Sequence, residues 1–181
     1  MEIRNNEHLL KELSLGKKLK YIFFWGHQNE SKAITKSCFS QWYQSPFEEN
    51  GIRYLTAEHY MMYAKAVLFD DLNVAKKVLV AKTPGEAKVL GREIQGFDEE
   101  LWLSHRFEIV VKGNLAKFSS DPRLAEFLLN TGNRVIVEAS PVDSIWGIGL
   151  AQDNPLIETP ENWQGLNLLG YALMEVRSKL K

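Results

Sequence analysis

The sequence predicts an α+β fold, a single mainly helical domain with a small β-sheet. Three observations predict it. Capped, amphipathic segments of helical length fill the middle of the chain. The β-branched and aromatic runs are short and fall near the two ends, at residues 21–25 and 134–139. At 181 residues, with 45% apolar and 25% charged side chains, the chain has the size and composition of one soluble domain.

The elements follow in order. Residues 6–15 read as a short amphipathic helix stopped by Gly16. Residues 1–20 are expected to be an N-terminal extension, and residues 21–181 the domain proper. The run 21–25, Tyr-Ile-Phe-Phe-Trp, suits a buried strand, while 26–38 is polar and patternless. Asn50-Gly51, inside 47–54, is the strongest local hairpin signal. Thr56 is placed to cap a helix reaching about Phe69, and 71–81 predicts another. Thr83-Pro84-Gly85-Glu86 has the form of a capping box with proline at the first helical position, and Gly91-Arg92 ends that helix. Asp98 opens a long helix ending near Phe118, and Asp121-Pro122 starts one that Gly132 stops. The β-branched segment 134–139 reads as a strand, and 140–164 as a loop rich in Gly, Pro, Asn and Trp. An amphipathic helix over about 166–180 closes the chain.

Composition excludes several classes of function. With 22 basic and 23 acidic residues the formal charge is -1, too little for a bulk electrostatic grip on nucleic acid or anionic lipid. A local basic rim would need the fold to bring Lys32, Lys36, Lys82 and Lys88 together. The single cysteine, Cys38, rules out an intrachain disulfide and fits a reducing compartment; without a motif around it, it reads as a small buried hydrophobe. No signal-like N-terminus is present, and no apolar stretch approaches the ~20 residues that span a bilayer. A soluble, cytoplasmic protein with no membrane partner is expected. No zinc, calcium, Walker or dinucleotide-binding signature occurs, so no metal and no other cofactor is expected.

The informative stretch is Thr56-Ala-Glu58-His59-Tyr60-Met61-Met62-Tyr63-Ala64-Lys65. In a helix, Glu58, Met61, Met62 and Lys65 share one face, with the carboxylate and the amine roughly 10 Å apart. That spacing leaves room for a sugar over an apolar floor. The plainer reading is a first-turn acid favouring the macrodipole above core methionines. Two further clusters weigh against it. Asp143-Ser-Ile-Trp146-Gly147 puts an acid, an aromatic and a glycine in a loop, where function concentrates. Phe39-Ser40-Gln41-Trp42 is aromatic and polar, as a planar heterocycle requires, although Trp146 also suits a core plug. Arg92 is placed either to bind phosphate or to satisfy the last carbonyls of its helix. Trp102, in the first turn of the long helix, has core packing as its simplest role.

In order, Phe39-Ser40, the Gly51 hairpin, Glu58-His59-Tyr60, Lys65, Gly91-Arg92, Trp102, Lys117-Phe118, Leu128-Leu129, Glu138, Asp143, Trp146-Gly147 and Asn167-x-Leu169-Gly170 with Leu173-Met174-x-x-Arg177 resemble the NADAR family, in the manner of its bacterial YbiA-like members. The resemblance runs from about Phe39 to Leu180 and rests on the ordered set, no single motif being specific. It implies a small α+β domain that cleaves N-glycosidic bonds. The implied substrates are the ribosylamino-pyrimidine 5′-phosphate intermediates of riboflavin synthesis or, in other members, ADP-ribose on guanine.

The substrate is thus a small phosphoribosyl or ADP-ribosyl compound, and nucleic acid enters only when ADP-ribosylated. By match, Glu58, Lys65 and Asp143 are the catalytic candidates. Ser40, Gln41, Tyr60, Arg92, Trp102, Trp146 and Gly147 are the substrate-binding candidates. Two departures stand out: Gln41 replaces the family's usual asparagine after Phe-Ser, and the segment between Gly149 and Gly165 is long.

Cleaving a C1–N bond builds positive charge on the ribose, which a carboxylate stabilises, while the leaving base needs a proton. Glu58 suits water activation or cation stabilisation, with Asp143 as a second acid contact. Lys65 either contacts phosphate or ribose, or attacks C1 of the ring-opened sugar to form a Schiff base. Trp102 and Trp146 would stack on the base, and Arg92 would hold a phosphate. The rivals are a non-catalytic nucleotide-binding module and a structural protein in which Glu58 and Lys65 are an ordinary surface pair.

Overall fold

The two apolar runs at opposite ends of the chain, β1 (Tyr21–Phe24) and β4 (Val135–Glu138), pair as parallel strands with Tyr21 opposite Val135 and Phe24 opposite Glu138. The computed structural model describes residues 3–28 and 33–181, so Lys32 and part of the patternless stretch lie outside the described residues. The chain divides into two units. Unit 1 is Met1–Ser40 with Arg123–Lys181, and unit 2 is Gln41–Pro122. The fold is mainly helical, as the sequence predicts, and its strands form two small sheets, one in each unit, where the sequence reading expects one.

In unit 1, the C-terminal helix α7 (Leu168–Lys179) packs on β4, burying Leu169, Tyr171, Leu173 and Val176 against Val135, Ile136 and Val137. Helix α1 (Asn6–Ser14), capped by the Asn5 side chain, buries Leu9 completely. Asn6 donates to the Gly165 carbonyl (3.0 Å) and accepts from the Tyr171 hydroxyl (2.8 Å). A 3₁₀ turn over Lys36–Phe39 seats Phe39 against Phe24 and Phe127, with Cys38 fully buried beside it. Helix α6 (Pro122–Leu129) follows Asp121 as expected. Strand β1 is shorter and wetter than its composition suggests. Only Phe24 is buried, and Trp25 lies beyond the strand, 56% exposed. A strand with one partner has little to bury its second face against. The long segment before Gly165 is fastened by Trp163, whose indole N–H donates to Ile157 O (2.8 Å) and whose ring meets Tyr21 edge-on.

Unit 2 opens with the hairpin of β2 (Phe47–Glu49) and β3 (Ile52–Tyr54). Its two turn residues, Asn50 and Gly51, have φ of 53° and 75°, the left-handed pair that a tight hairpin needs. Four helices follow: α2 (Ala57–Leu68), α3 (Leu72–Val80), α4 (Pro84–Leu90) and α5 (Glu99–Ser120). Thr56, Asp71, Thr83 and Asp98 cap them, each side chain accepting from a first-turn N–H. The Thr83 box closes one residue further out than its pattern suggests, because Glu86 accepts from the Lys82 N–H (2.6 Å).

Helix α2 lies among α3, α4 and α5, and its polar cap is tied down twice. The Nε2–H of His59 donates to Ala81 O at the end of α3 (3.2 Å). This leaves Nδ1 to accept from the Thr56 hydroxyl (2.8 Å). The aromatic core of the unit is Phe47, Tyr54 and Tyr60, with Tyr63 and Ile109 alongside. Here α5 approaches α2 so closely that a Cβ on Gly113 would stand 2.3 Å from the Tyr60 ring. Gly113→Ala is therefore expected to destabilise the protein by about 1–3 kcal/mol, the usual cost of overpacking. Urea titration checks this, and an unchanged midpoint would mean that α5 is free to move off α2.

Candidate active site

Glu58 is the second residue of α2 and is only 4% exposed. Its backbone N–H has no helical acceptor at that position. It donates instead to the carbonyl of Gln41 (3.0 Å). The Gln41 side chain is also fixed: its Oε1 accepts from Asn114 Nδ2 of α5 (2.7 Å), and its Nε2 points at Met61 Sδ. Asn114 is fully buried, and the same amide also donates to Val110 O (2.9 Å). The sequence-predicted Gln41 thus holds the start of α2 through its backbone and α5 through its side chain.

Lys65 lies two turns after Glu58, with Met61 and Met62 buried between them. Its ammonium donates to the Gly91 carbonyl (3.0 Å). It also lies 4.6 Å from the centre of the Phe97 ring and 5.5 Å from that of Trp102. Burial lowers the Lys65 pKa from its ordinary value, and no carboxylate beside it opposes the shift. Gly91 packs tightly here, since a Cβ there would stand 2.0 Å from Met62 Sδ and the methionine would have to shift. The structure therefore brings Lys65, Trp102 and the Gly91-Arg92 corner together. The Arg92 side chain itself is exposed. Tyr60 belongs to the aromatic core, where burial pushes its hydroxyl up to about 12.

In unit 1 the predicted loop is organised by hydrogen bonds. Oδ1 of Asp143 accepts from the N–H groups of Ile145 (2.9 Å) and Trp146 (2.8 Å). This is an Asx turn that aims Trp146. Leu169 N–H bonds to Trp146 O, and Asn167 N–H to Gly147 O, clasping the loop to the start of α7. A Cβ on Gly147 would stand 2.9 Å from the carbonyls of both Asp143 and Glu138, so protein packing already demands glycine there. Ser40 is buried at the end of the 3₁₀ turn, its N–H bonded to Ser37 O. Lys36 belongs to unit 1, whereas Lys82 and Lys88 are exposed on unit 2, Lys88 over the Trp42 ring.

The profile of the NADAR domain matches residues 23–181. The chain belongs to the NADAR family. It is 44% identical over 166 residues to an N-glycosidase of Acanthamoeba polyphaga mimivirus, covering 88% of this chain and 96% of that one. It is 35% identical over 142 residues to the chloroplastic riboflavin biosynthesis protein PYRR of Zea mays, covering 74% of this chain and 21% of that protein. Among solved structures, the Escherichia coli protein YbiA superimposes with a TM-score of 0.72 at 26% identity, over 91% of this chain and 86% of that one.

Within this NADAR chain, sequence reasoning missed Phe97 and Asn114. Phe97 follows Gly96 as an aromatic that stays 48% exposed although it flanks an amine. Asn114 is a lone amide among the buried positions of α5, between Val110 and Phe118. That break in an apolar face was the available signal. Among the described residues, no group of three or more His, Cys, Asp or Glu is placed to hold a metal ion. Among the same residues, no helix is long and apolar enough to cross a membrane.

His59 supplies a pH test of the α2 cap. Burial lowers its pKa below the ordinary 6.5. The unfolded chain therefore takes up the proton first, so the contribution is complete above about pH 6.5 and is lost as pH falls through the folded value. The melting temperature should fall between pH 8 and pH 5, and His59→Gln should flatten that slope. Identical slopes would show that His59 protonates freely in the folded state.

Proposed function

We propose that this chain is an N-glycosidase that hydrolyses the ribose C1–N bond of ribosylamino-pyrimidine 5′-phosphates, acting in the cytoplasm. The observation that carries the reading is the pairing on α2 of a buried carboxylate, Glu58, with a desolvated amine, Lys65, two turns away. That one relative is named an N-glycosidase and another a riboflavin biosynthesis protein supports the reading.

The reaction runs as follows. Glu58 in its acid form protonates the ring oxygen as the exocyclic nitrogen pushes the sugar open, leaving an iminium at C1. The neutral amine of Lys65 adds to C1 and expels the pyrimidine amine, which departs with a proton. Lys65 is then joined to the sugar as an imine. Water, deprotonated by Glu58, hydrolyses that imine and restores the amine. The sum is one C1–N bond replaced by C1–O, giving free base and ribose 5-phosphate. Burial favours this route because it raises the fraction of Lys65 present as free amine at neutral pH. Trp102 offers a stacking face beside the amine. Asp143 serves by holding Trp146 in its loop. The same chemistry applies to ADP-ribose on guanine, the form in which nucleic acid would be a substrate.

Mass spectrometry of freshly made ribosylamino-pyrimidine 5′-phosphate, run beside ADP-ribosylated guanosine, tests the proposal. Wild type should release base and ribose 5-phosphate. Glu58→Gln and Lys65→Met should each lose about 100-fold or more in turnover while keeping the wild-type circular dichroism. Release of ADP-ribose alone would move the chain to the other substrate class. Turnover undiminished in Glu58→Gln would sink the assignment.

A further inference from the structure

Along α5, the residues that meet α2 and its aromatic core recur in steps of three and four. Trp102 reaches Lys65, Ile109 packs on the Phe47, Tyr54 and Tyr60 cluster, and Gly113 touches Tyr60. The position that completes this stripe between Trp102 and Ile109 is Arg106, one turn or about 6 Å beyond Trp102. A guanidinium carries five N–H donors and cannot shed its charge in a protein. Placed in a helix seam, it should therefore have a carboxylate or a set of carbonyls around it.

Arg106 has neither. It is partly buried and, among the described residues, makes no hydrogen bond and no ion pair. Its burial acts against the charged form, and among the described residues the charge that opposes this is Glu99, two turns back on the same helix. Of the nearby carboxylates, Glu49 of β2 pairs with Lys112, and Glu108 on α5 is exposed to solvent. Arg92, the arginine that the sequence singles out for phosphate, is by contrast exposed on the turn after α4, where water already solvates it.

We propose that Arg106 is the anion-binding residue of unit 2, taking a phosphoryl group of the substrate one helical turn from the ring of Trp102. The inference deepens the proposed function, on which it rests for the sugar that carries the phosphate. A planar guanidinium suits two phosphate oxygens at once. Its neighbour Trp102 would then stack the base, and Lys65, 5.5 Å from that ring, would stand at the sugar. A phosphate monoester and a diphosphate share this chemistry.

The test is binding rather than turnover, so it stands apart from the N-glycosidase assay. Ribose 5-phosphate and ADP-ribose are titrated calorimetrically into wild type, Arg106→Gln, Arg106→Lys, Arg92→Gln and the surface control Lys76→Gln. Arg106→Gln should weaken at least one of the two ligands tenfold or more, and Arg106→Lys should recover part of the loss. Lys76→Gln should stay within twofold of wild type. The ligand that loses affinity identifies the monoester or the diphosphate as the source. Because the guanidinium has no partner among the described residues, Arg106→Gln should melt no lower than wild type, which a structural role would not allow. Three results would overturn the proposal. These are a loss at Arg92→Gln with none at Arg106→Gln, a loss accompanied by a lower melting temperature that Arg106→Lys also shows, and no binding of either ligand by wild type. Product formation without Arg106-dependent binding would leave the enzyme standing and remove this site. Arg106-dependent binding without product would do the reverse.

Discussion

The burial of the Lys65 amine is the constraint on which the arrangement of unit 2 turns. An ammonium is stable in water, so holding one between Phe97 and Trp102 with a single carbonyl as acceptor costs hydration. Three separate packing features keep it there. Gly91 lets the end of α4 close on Met62, which brings its own carbonyl to the amine. The Asp98 cap starts α5 at the register that places Trp102 beside Lys65. Phe69 supports Phe97 from the far side, with ring centres 5.2 Å apart. The result is an amine whose pKa lies below its ordinary value through desolvation alone. That is the property a nucleophilic lysine needs and a salt-bridged one lacks.

The carboxylate end of the same helix is held by different means. Glu58 owes its place to backbone geometry, because its N–H is bound by Gln41 O while the Gln41 side chain is bound by Asn114. The Gln41 side chain, following Phe39-Ser40, is met by an amide on α5. Unit 1 shows the same economy in its Asp143 loop, where one carboxylate oxygen organises two N–H groups and fixes Trp146. In each unit, polar residues that the resemblance singles out do structural duty as well.

Local signals were legible in the sequence and nonlocal ones were not. Caps at Thr56, Thr83 and Asp98, the Asn50-Gly51 hairpin and the helix stop at Gly16 depend on neighbours within four residues. Strand β1 also read correctly in type, but its exposure depends on having one partner, a strand more than a hundred residues away. The seat of Lys65 joins residues from α2, α4 and the start of α5, and no spacing rule links Lys65 to Phe97. The pairing of Gln41 with Asn114 spans 73 residues. By itself, the helical spacing of Glu58 and Lys65 was equally compatible with a macrodipole acid and a surface lysine. Their roles come from the resemblance, and the burial of Glu58 with the partial burial of Lys65 gives it a physical basis.

The central claim is that the desolvated amine of α2 bonds to the sugar. Reductive trapping tests it most directly: wild type is incubated with ribose 5-phosphate and cyanoborohydride at neutral pH, digested, and its modified lysines are located by mass spectrometry. The account predicts that the peptide containing Lys65 carries the reduced pentose phosphate well above every exposed lysine. Labelling spread evenly over surface lysines, with Lys65 unmodified in protein that still turns substrate over, would contradict it.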